Sequence, residues 1–538
     1  MLLSFFRPAP ALRTCFAACL VASTLALASP VAAAQQTAFR QAVAASVAQQ
    51  AEVAEFYRAR DYAPLWTGAE DTARLNALLV ALGQADDHGL PAQRYGMVQL
   101  MQRLQRASTP KDQGFVEAAL TRAFLLYAAD MKGGALVPAR VDDDIKRSPQ
   151  APSPAELLQG LAAANPAAYF RGLAPQSNEY TRLLKAKLQL EKLLADGGWG
   201  EAVPGQQSLK PGQSGPAVIA LRNRLMRMGY LHRSFGKTYD ADIQAAVQKF
   251  QLAHGLEADG VAGPTTIAEI NVPVEARLKS VIVALERERW VNIDKSGRHI
   301  LVNLVDYTAK IMDQGEITFE TRSVVGANSN DRRSPEFSDV MEFMVINPTW
   351  HVPRSIAVNE YLPQLKQNPN AVSHLVLFDG RGQRISRQNV DFTAFTANTF
   401  PFDIKQPPSN SNALGLVKFM FPNPYNIYLH DTPAKNLFAR ETRAYSHGCI
   451  RLAQPFDFAY ALLARQSSDP VGEFKRILAT GVETTVPLRQ PVPVHLIYRT
   501  AFTTAKEGVQ FRRDVYGRDA KIWQALEREG VALRAYRG

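Results

Sequence analysis

Cysteine is scarce in this chain, with three in 538 residues, at positions 15, 19 and 449. No run of five or more basic residues appears, although the formal charge is +11. The apolar stretch near the start, CFAACLVASTLALA (15–28), is shorter than the roughly 20 residues a spanning helix needs. Each shortage excludes something. Scattered basic residues give no footprint for nucleic acid, and an anionic cell envelope suits the charge better. The short apolar stretch argues against a retained membrane anchor. Arg7 and Arg13 before it, and small residues at Ala32 and Ala34 after it, make the parts of a secretory signal peptide with cleavage after Ala34. A lipid anchor at Cys19 is the lesser alternative, because FAAC matches a lipidation site poorly. Export removes Cys15 and Cys19, so the mature chain keeps Cys449 alone. Outside the cytoplasm, such a leftover cysteine is an intermolecular bridge, a reactive thiol or a small buried apolar residue.

What is present is ordinary for globular protein, with 46% apolar and 21% charged residues. About 500 mature residues imply roughly two to four domains. The expected fold class is multi-domain α+β. From 35 to 205 apolar residues recur three and four apart, as in GFVEAALTRAFLLYAADMKGG, which predicts a helical region. His88, in DDHGLPAQRY, reads as a loop residue, and FYRARDYAPLW (56–66) as an aromatic packing patch. GWGEAVPGQQSLKPGQSG (198–215) reads as a linker. From 206 to 271 the pattern predicts three short helices, with Val218, Leu221, Leu225 and Met228 on one stripe and Ile243, Val247 and Phe250 on another. A turn at Asp259-Gly260 and a capped helix from Thr265 complete this unit.

Beyond 272 the texture becomes strand-like and alternating, in RHILVNLVDYTAKIM, ITFETRSVVGA, VMEFMVINPTW and LVKFMFPNPYNIYLH. The region 272–538 is therefore expected to be mostly β, with helices at its edge. An insertion at about 349–412 is long enough to serve as a lid or binding element.

The chemistry concentrates in NIYLHDTPAKNLFARETRAYSHGCIRL (426–452). Alternation puts Ile427 and Leu429 on one face and Tyr428 and His430 on the other. Gly448 lets the backbone turn closely beside the Cys449 thiol. A thiol near an imidazole can ionise well below about 8.5, giving a nucleophile at neutral pH. Convergent backbone N–H groups would stabilise the oxyanion of an attacked carbonyl. Acyl transfer through a thioester follows. Zinc is the competing use, since His430, His447, Cys449 and Asp431 could supply ligands, but HGC places two of them only two residues apart with no second pair.

A histidine, then SHGCIR, resembles the active-site motif of the L,D-transpeptidase family. Through that resemblance Cys449 is the nucleophile and His430 the base. Ser446, His447, Gly448 and Arg451 also match the motif. The resemblance implies that the N–H groups of Gly448 and Cys449 line an oxyanion hole, that His447 holds the loop, and that Arg451 orients the loop or a substrate carboxylate. Tyr428 falls where larger members carry a tyrosine at the oxyanion site. INPTWHVPRSI, NALGLVKFMFPN, YLHDTP and PVPVHLIYRTAF look like further signatures of the large multi-domain members from diderm bacteria. In those, a helical scaffold domain and a peptidoglycan-binding domain precede the catalytic domain, whose insertion forms a cap. QPPSNSNALG departs locally, lacking the Pro-Gly step expected before NALG.

The resemblance implies a periplasmic enzyme that needs no cofactor or metal, releases D-Ala from a tetrapeptide donor and forms 3→3 cross-links between peptidoglycan stems. It also implies sensitivity to carbapenems. Other wall-synthesis enzymes are conceivable partners of the scaffold region. Water as acceptor would make the chain an L,D-carboxypeptidase, and a lipoprotein amine would make it an anchoring enzyme. A wall-binding scaffold with an idle centre is the non-enzymatic reading.

Overall fold

The computed structural model describes residues 30–534, except 206, 292, 294–296, 330 and 505–507. Cys15, Cys19 and most of the expected signal segment lie outside the described residues. Pro30–Ala34 opens the first helix, Pro30–Val47. No helix among the described residues is long and apolar enough to cross a membrane.

Helices run from there to Ala195, as the periodicity predicts. The longest, Pro110–Gly133, starts at a Thr109–Asp112 capping box and buries Glu117. That carboxylate accepts hydrogen bonds from the Leu65 N–H (2.6 Å), the Tyr57 hydroxyl (2.8 Å) and the Thr67 hydroxyl (2.9 Å). It thereby pins the aromatic patch, with Tyr57 and Trp66 buried, into the helical core. His88 is a loop residue, its Nδ1 3.0 Å from the Tyr180 hydroxyl.

The next unit has its three helices, Pro216–Arg227, Ala241–Ala253 and Pro264–Ile270. Both predicted apolar stripes meet in one core. Two expectations need correction. The last helix starts at Gly263 without a side-chain cap. The stretch read as a linker is part of the unit, because Val203 and Leu209 are buried in its core and the Asn271 side chain bonds both the N–H and C=O of Val203.

Residues 274–290, VEARLKSVIVALERERW, form a helix, not the start of a strand region. From Val281 to Trp290 every residue of this helix is buried, so no polar face marks its period in the sequence. It packs on helix Asn178–Ala195 and on the closing helix Arg518–Arg528. Its buried charges are paired. Arg287 donates to Glu336 (2.7 Å) and to Asp519 (2.9 Å), and Arg518 donates to Glu336 (3.3 Å).

The strands follow as β1 (His299–Asn303), β2 (Thr308–Asp313), β3 (Glu316–Gly326) and β4 (Phe337–Ile346). Within the insertion lie β5 (Trp350–His351), β6 (Val376–Phe378), β7 (Arg384–Ile385) and β8 (Asp403–Gln406). The main sheet resumes with β9 (Val417–Met420), β10 (Leu429–His430), β11 (Ala444–Ser446), β12 (Ile450–Leu452) and β13 (Thr484–Ile497), and β14 (Ala501–Thr504) and β15 (Gly508–Phe511) form a separate hairpin. The main sheet runs β11-β3-β12-β10-β9-β4-β13-β1-β2, and β2 also pairs with β3, which closes the order on itself. Ile300, Met344, Phe419, Leu429 and Ile450 fill the resulting core, and Phe458 of helix Pro455–Leu463 packs into it.

The insertion has its own four-stranded sheet, β5-β8-β6-β7, and its own apolar core around Leu365, Leu377 and Phe392. It is a folded cap rather than a loop. Its return is fixed by Asn412, whose side-chain amide donates to the carbonyls of Pro348 (3.1 Å), Gln406 (3.0 Å) and Pro407 (3.0 Å). That staple shapes QPPSNSNALG without a Pro-Gly step.

Arg287→Met should leave Glu336 and Asp519 buried with too little positive charge, at a cost of about 3–5 kcal/mol. The denaturant midpoint should fall accordingly, whereas Arg476→Met, which breaks the exposed Arg476–Asp469 pair, should change stability by no more than about 1 kcal/mol.

Candidate functional site

Backbone pairing brings the predicted residues together. Strands β10 and β12 run parallel, with Leu429 opposite Ile450 and His430 opposite Arg451. The Ile450 N–H donates to the Tyr428 carbonyl at 3.0 Å, which fixes Cys449 beside Tyr428. The predicted alternation holds. Ile427 and Leu429 enter the main core, while Tyr428 packs partly against the core of the cap. The Tyr428 and His430 ring centroids are 5.6 Å apart.

The turn carrying the thiol is held from beneath. Ser446 Oγ donates to the Cys449 carbonyl (2.6 Å) and accepts from the Gly448 N–H (3.1 Å). Ser334 Oγ donates to the Gly448 carbonyl at 2.6 Å, and the Arg518 guanidinium donates to the Ser334 carbonyl at 2.8 Å. Gly448 has φ +108°, and a Cβ there would sit 3.2 Å from Ile427. The positive φ favours glycine, and a larger residue would also make Ile427 give way by a few tenths of an ångström. Because the Gly448 N–H is used inside the turn, only Cys449 of the two expected backbone donors remains for an oxyanion.

Cys449 is half-buried, and its Sγ lies 3.5 Å from the Asn426 carbonyl. Burial pushes the thiol up to about 11, against the pull of hydrogen bonds from the Tyr428 N–H and hydroxyl and the charge of Arg451. The expectation of a thiolate at neutral pH is thus corrected: the resting group is a thiol, since desolvation outweighs the nearby donors. His430 is buried, with Nδ1 2.5 Å from the Asp431 carbonyl. Burial, then the charge of Arg451, pull this imidazole down to about 3. It is neutral at pH 7, with the hydrogen bond to Asp431 fixing the ring.

Asp431 is itself anchored. Its carboxylate accepts from the Leu416 N–H (2.9 Å), the Thr432 N–H (2.7 Å) and the Lys435 ammonium (2.6 Å). Gly415 explains the end of NALG, because a Cβ there would lie 2.3 Å from the Asp431 carboxyl carbon. Arg451 is mostly buried, and its Nε has no hydrogen-bond partner among the described residues.

His447 points elsewhere. Its Nε2 is 2.5 Å from Glu360 of the cap, and Arg332 donates to the same carboxylate oxygen at 2.6 Å. His447 therefore ties the turn that carries Cys449 to the cap. Glu360 lies in a π-helical turn, Ala357–Tyr361, a local irregularity common at functional sites.

Sequence reasoning missed Glu360, Arg332 and Ser334, whose roles depend on contacts distant in the chain. It also passed over Asn423. The Asn423 amide donates to the carbonyls of Phe421 (2.6 Å) and Ile427 (2.8 Å), and its oxygen accepts from the Tyr425 N–H, shaping the loop that presents the Asn426 carbonyl to the thiol. The Asn-Pro step at 423–424 was the available turn signal.

Fold and site together define a closed β domain that carries a cysteine, a histidine and a tyrosine at the starts of two adjoining strands, beside a folded cap. Comparison with known proteins agrees. Residues 297–475 match the family described as the L,D-transpeptidase catalytic domain, residues 51–186 match "Scaffold domain", and residues 214–270 match "Putative peptidoglycan binding domain". A Haemophilus influenzae protein named "Putative L,D-transpeptidase" is 31% identical over 242 residues, covering 45% of this chain and 48% of that protein. The match thus spans about half the length of that relative. Residues 297–475 thus match an L,D-transpeptidase catalytic domain, and the same chain carries matches to a scaffold domain and a peptidoglycan-binding domain. Solved L,D-transpeptidases from Xylanimonas cellulosilytica (17% identity, 55% of this chain and 99% of that one, TM-score 0.17) and Stackebrandtia nassauensis (14%, 55% and 97%, TM-score 0.22) also align, too distantly to add to the assignment.

With the thiol raised to about 11, the rate of Cys449 alkylation by iodoacetamide should keep climbing with pH through 9 and 10. Peptide mapping of the alkylated residue checks this, and a rate that levels off near the ordinary cysteine value of about 8.5 would contradict it.

Proposed function

We propose that the chain is an exported, periplasmic L,D-transpeptidase that forms 3→3 cross-links between peptidoglycan stem peptides. The observation that carries the reading is the clustering of Cys449, Tyr428 and His430 by the parallel β10–β12 pairing, at the rim of the main core and beside the cap. The peptidoglycan-binding match in the same chain supports the choice of substrate.

The Cys449 sulfur attacks the carbonyl of the third stem residue, an L-centre, in a tetrapeptide donor. The neutral His430 accepts the thiol proton. A base that is neutral at rest is suited to this, because it takes up the proton only as negative charge builds on sulfur and carbonyl oxygen. The Cys449 N–H and the Tyr428 hydroxyl are the donors next to the sulfur and would face the developing oxyanion. The tetrahedral intermediate collapses as the carbon–nitrogen bond to D-Ala breaks. The proton held by His430 passes to the departing amine, leaving a thioester.

A side-chain amine of a second stem then attacks the thioester and loses a proton to His430. An amide forms and the thiol is restored. The thioester conserves enough of the cleaved amide's free energy that no nucleotide cofactor is required. Arg451, with a guanidinium nitrogen unpartnered beside the thiol, would take a carboxylate of the stem. The same nucleophilic thiol would be acylated by carbapenems.

Product analysis tests the reading. Purified disaccharide-tetrapeptide should yield cross-linked dimer and free D-Ala, and Cys449→Ala should yield neither. Tripeptide without dimer would replace the reading with hydrolysis. Tyr428→Phe should lower kcat by about 10²–10³ with little change in KM if its hydroxyl serves the oxyanion, the loss seen when one such donor is removed.

A further inference from the structure

A crevice of about 1060 Å³ lies between the helical N-terminal region and the catalytic domain. It stands apart from the thiol site and shares none of the residues named there. Lys132 lines one wall, on the end of helix Pro110–Gly133, and Lys146 and Arg147 line another. Two further charges on its walls, Arg289 and Glu288, are already neutralised by Glu286 and Arg499 respectively.

The other three cations are not. Lys132 Nζ donates to the Gly172 carbonyl at 3.0 Å, and Lys146 Nζ sits 5.6 Å from the Tyr425 ring centre. Arg147 is nine-tenths buried. Its guanidinium donates to the Ser338 hydroxyl (3.1 Å) and the Leu496 carbonyl (2.7 Å), and its Nε has no partner among the described residues. Among the described residues no carboxylate lies within ion-pair distance of any of the three. A buried guanidinium held only by neutral groups is costly, and an anion is what would offset it. Burial, aided by the repulsion of Arg287 and Arg499, depresses the Arg147 guanidinium to about 10, even with Glu336 in range. Glu336 is itself committed to Arg287 and Arg518.

We propose that this crevice is a binding site for a ligand bearing two or more carboxylate or phosphate groups. Arg147 provides the fixed planar donor, and Lys132 and Lys146 provide point charges on longer, more exposed stems. The Ser177 hydroxyl and the amides of Gln150, Gln176 and Asn178 also line the space and can take the ligand's remaining polar groups. The Lys146 segment is bonded to the main sheet near the catalytic turn. The Lys146 N–H donates to the Glu336 carbonyl and the Glu336 N–H to the Asp144 carbonyl, both at 2.8 Å, two residues from the Ser334 that holds Gly448.

Isothermal titration of the full chain at low ionic strength tests the site, with pyrophosphate in one arm and the purified disaccharide-tetrapeptide in the other. Heat with pyrophosphate alone identifies a phosphate ligand; heat with the stem peptide, measured in Cys449→Ala so that turnover does not contribute and counted only where the double lysine variant loses it, identifies a carboxylate one. In either case Lys132→Gln/Lys146→Gln should weaken binding about tenfold or more, since each removes a charge-assisted contact. Arg147→Gln should abolish it. The double variant alters partly exposed side chains, so it decides the matter if Arg147→Gln fails to fold. No heat from either probe, or affinities unchanged in the double variant, would overturn the proposal.

Discussion

The turn that carries Cys449 is held by a cluster of buried charges that lies outside the site. Arg287, Arg518, Glu336 and Asp519 come from a helix between the helical region and the sheet, from the closing helix, and from the loop leading into β4. Taking such groups out of water is expensive, and mutual pairing makes it tolerable only in one geometry. That requirement locks helix Val274–Trp290 against the main sheet. Arg518 also reaches the Ser334 carbonyl, and the Ser334 hydroxyl holds the Gly448 carbonyl. The turn that carries the thiol is thus tied to an ionic cluster that joins the connecting helix, the closing helix and the loop before β4. Under the proposed function, a thiol that must meet a carbonyl within a few tenths of an ångström benefits from such support.

The electrostatics at the site favour a resting state without charge separation. Desolvation raises the thiol and lowers the imidazole, and Arg451 adds to the second effect. Such a pair stays uncharged until a substrate brings in the polar groups that stabilise charge. The cap belongs to this picture, since Tyr428 joins its core and Glu360 bonds His447 at the catalytic turn. Access to the thiol and the shape of its turn are therefore linked through two side chains, Glu360 and His447.

Much of this was legible in the chain. The step from helical to strand periodicity, the stripes of the small helical unit and the alternation of Ile427, Tyr428, Leu429 and His430 are local patterns, and the fold follows them. SHGC carries its own steric reason, because the positive φ of residue 448, next to Ile427, favours glycine. What was not legible depended on distance or on burial. Helix Val274–Trp290 hides its period because every residue from Val281 on is buried, and its Arg and Glu residues imitate a solvated segment. Val203 looks like part of a linker until Asn271 binds its backbone. Proximity of thiol and imidazole suggested a thiolate, but the strength of desolvation is set by the packed surroundings. Glu360 meets His447 across 87 positions of chain, beyond the reach of any local pattern.

The most direct test of the central claim is the intact mass of the protein, quenched in acid soon after mixing with disaccharide-tetrapeptide. The account predicts an adduct equal to the donor less one D-Ala, mapped to the peptide containing Cys449 and removed by hydroxylamine as a thioester should be. An unmodified mass during turnover, or an adduct on any other residue, would contradict it.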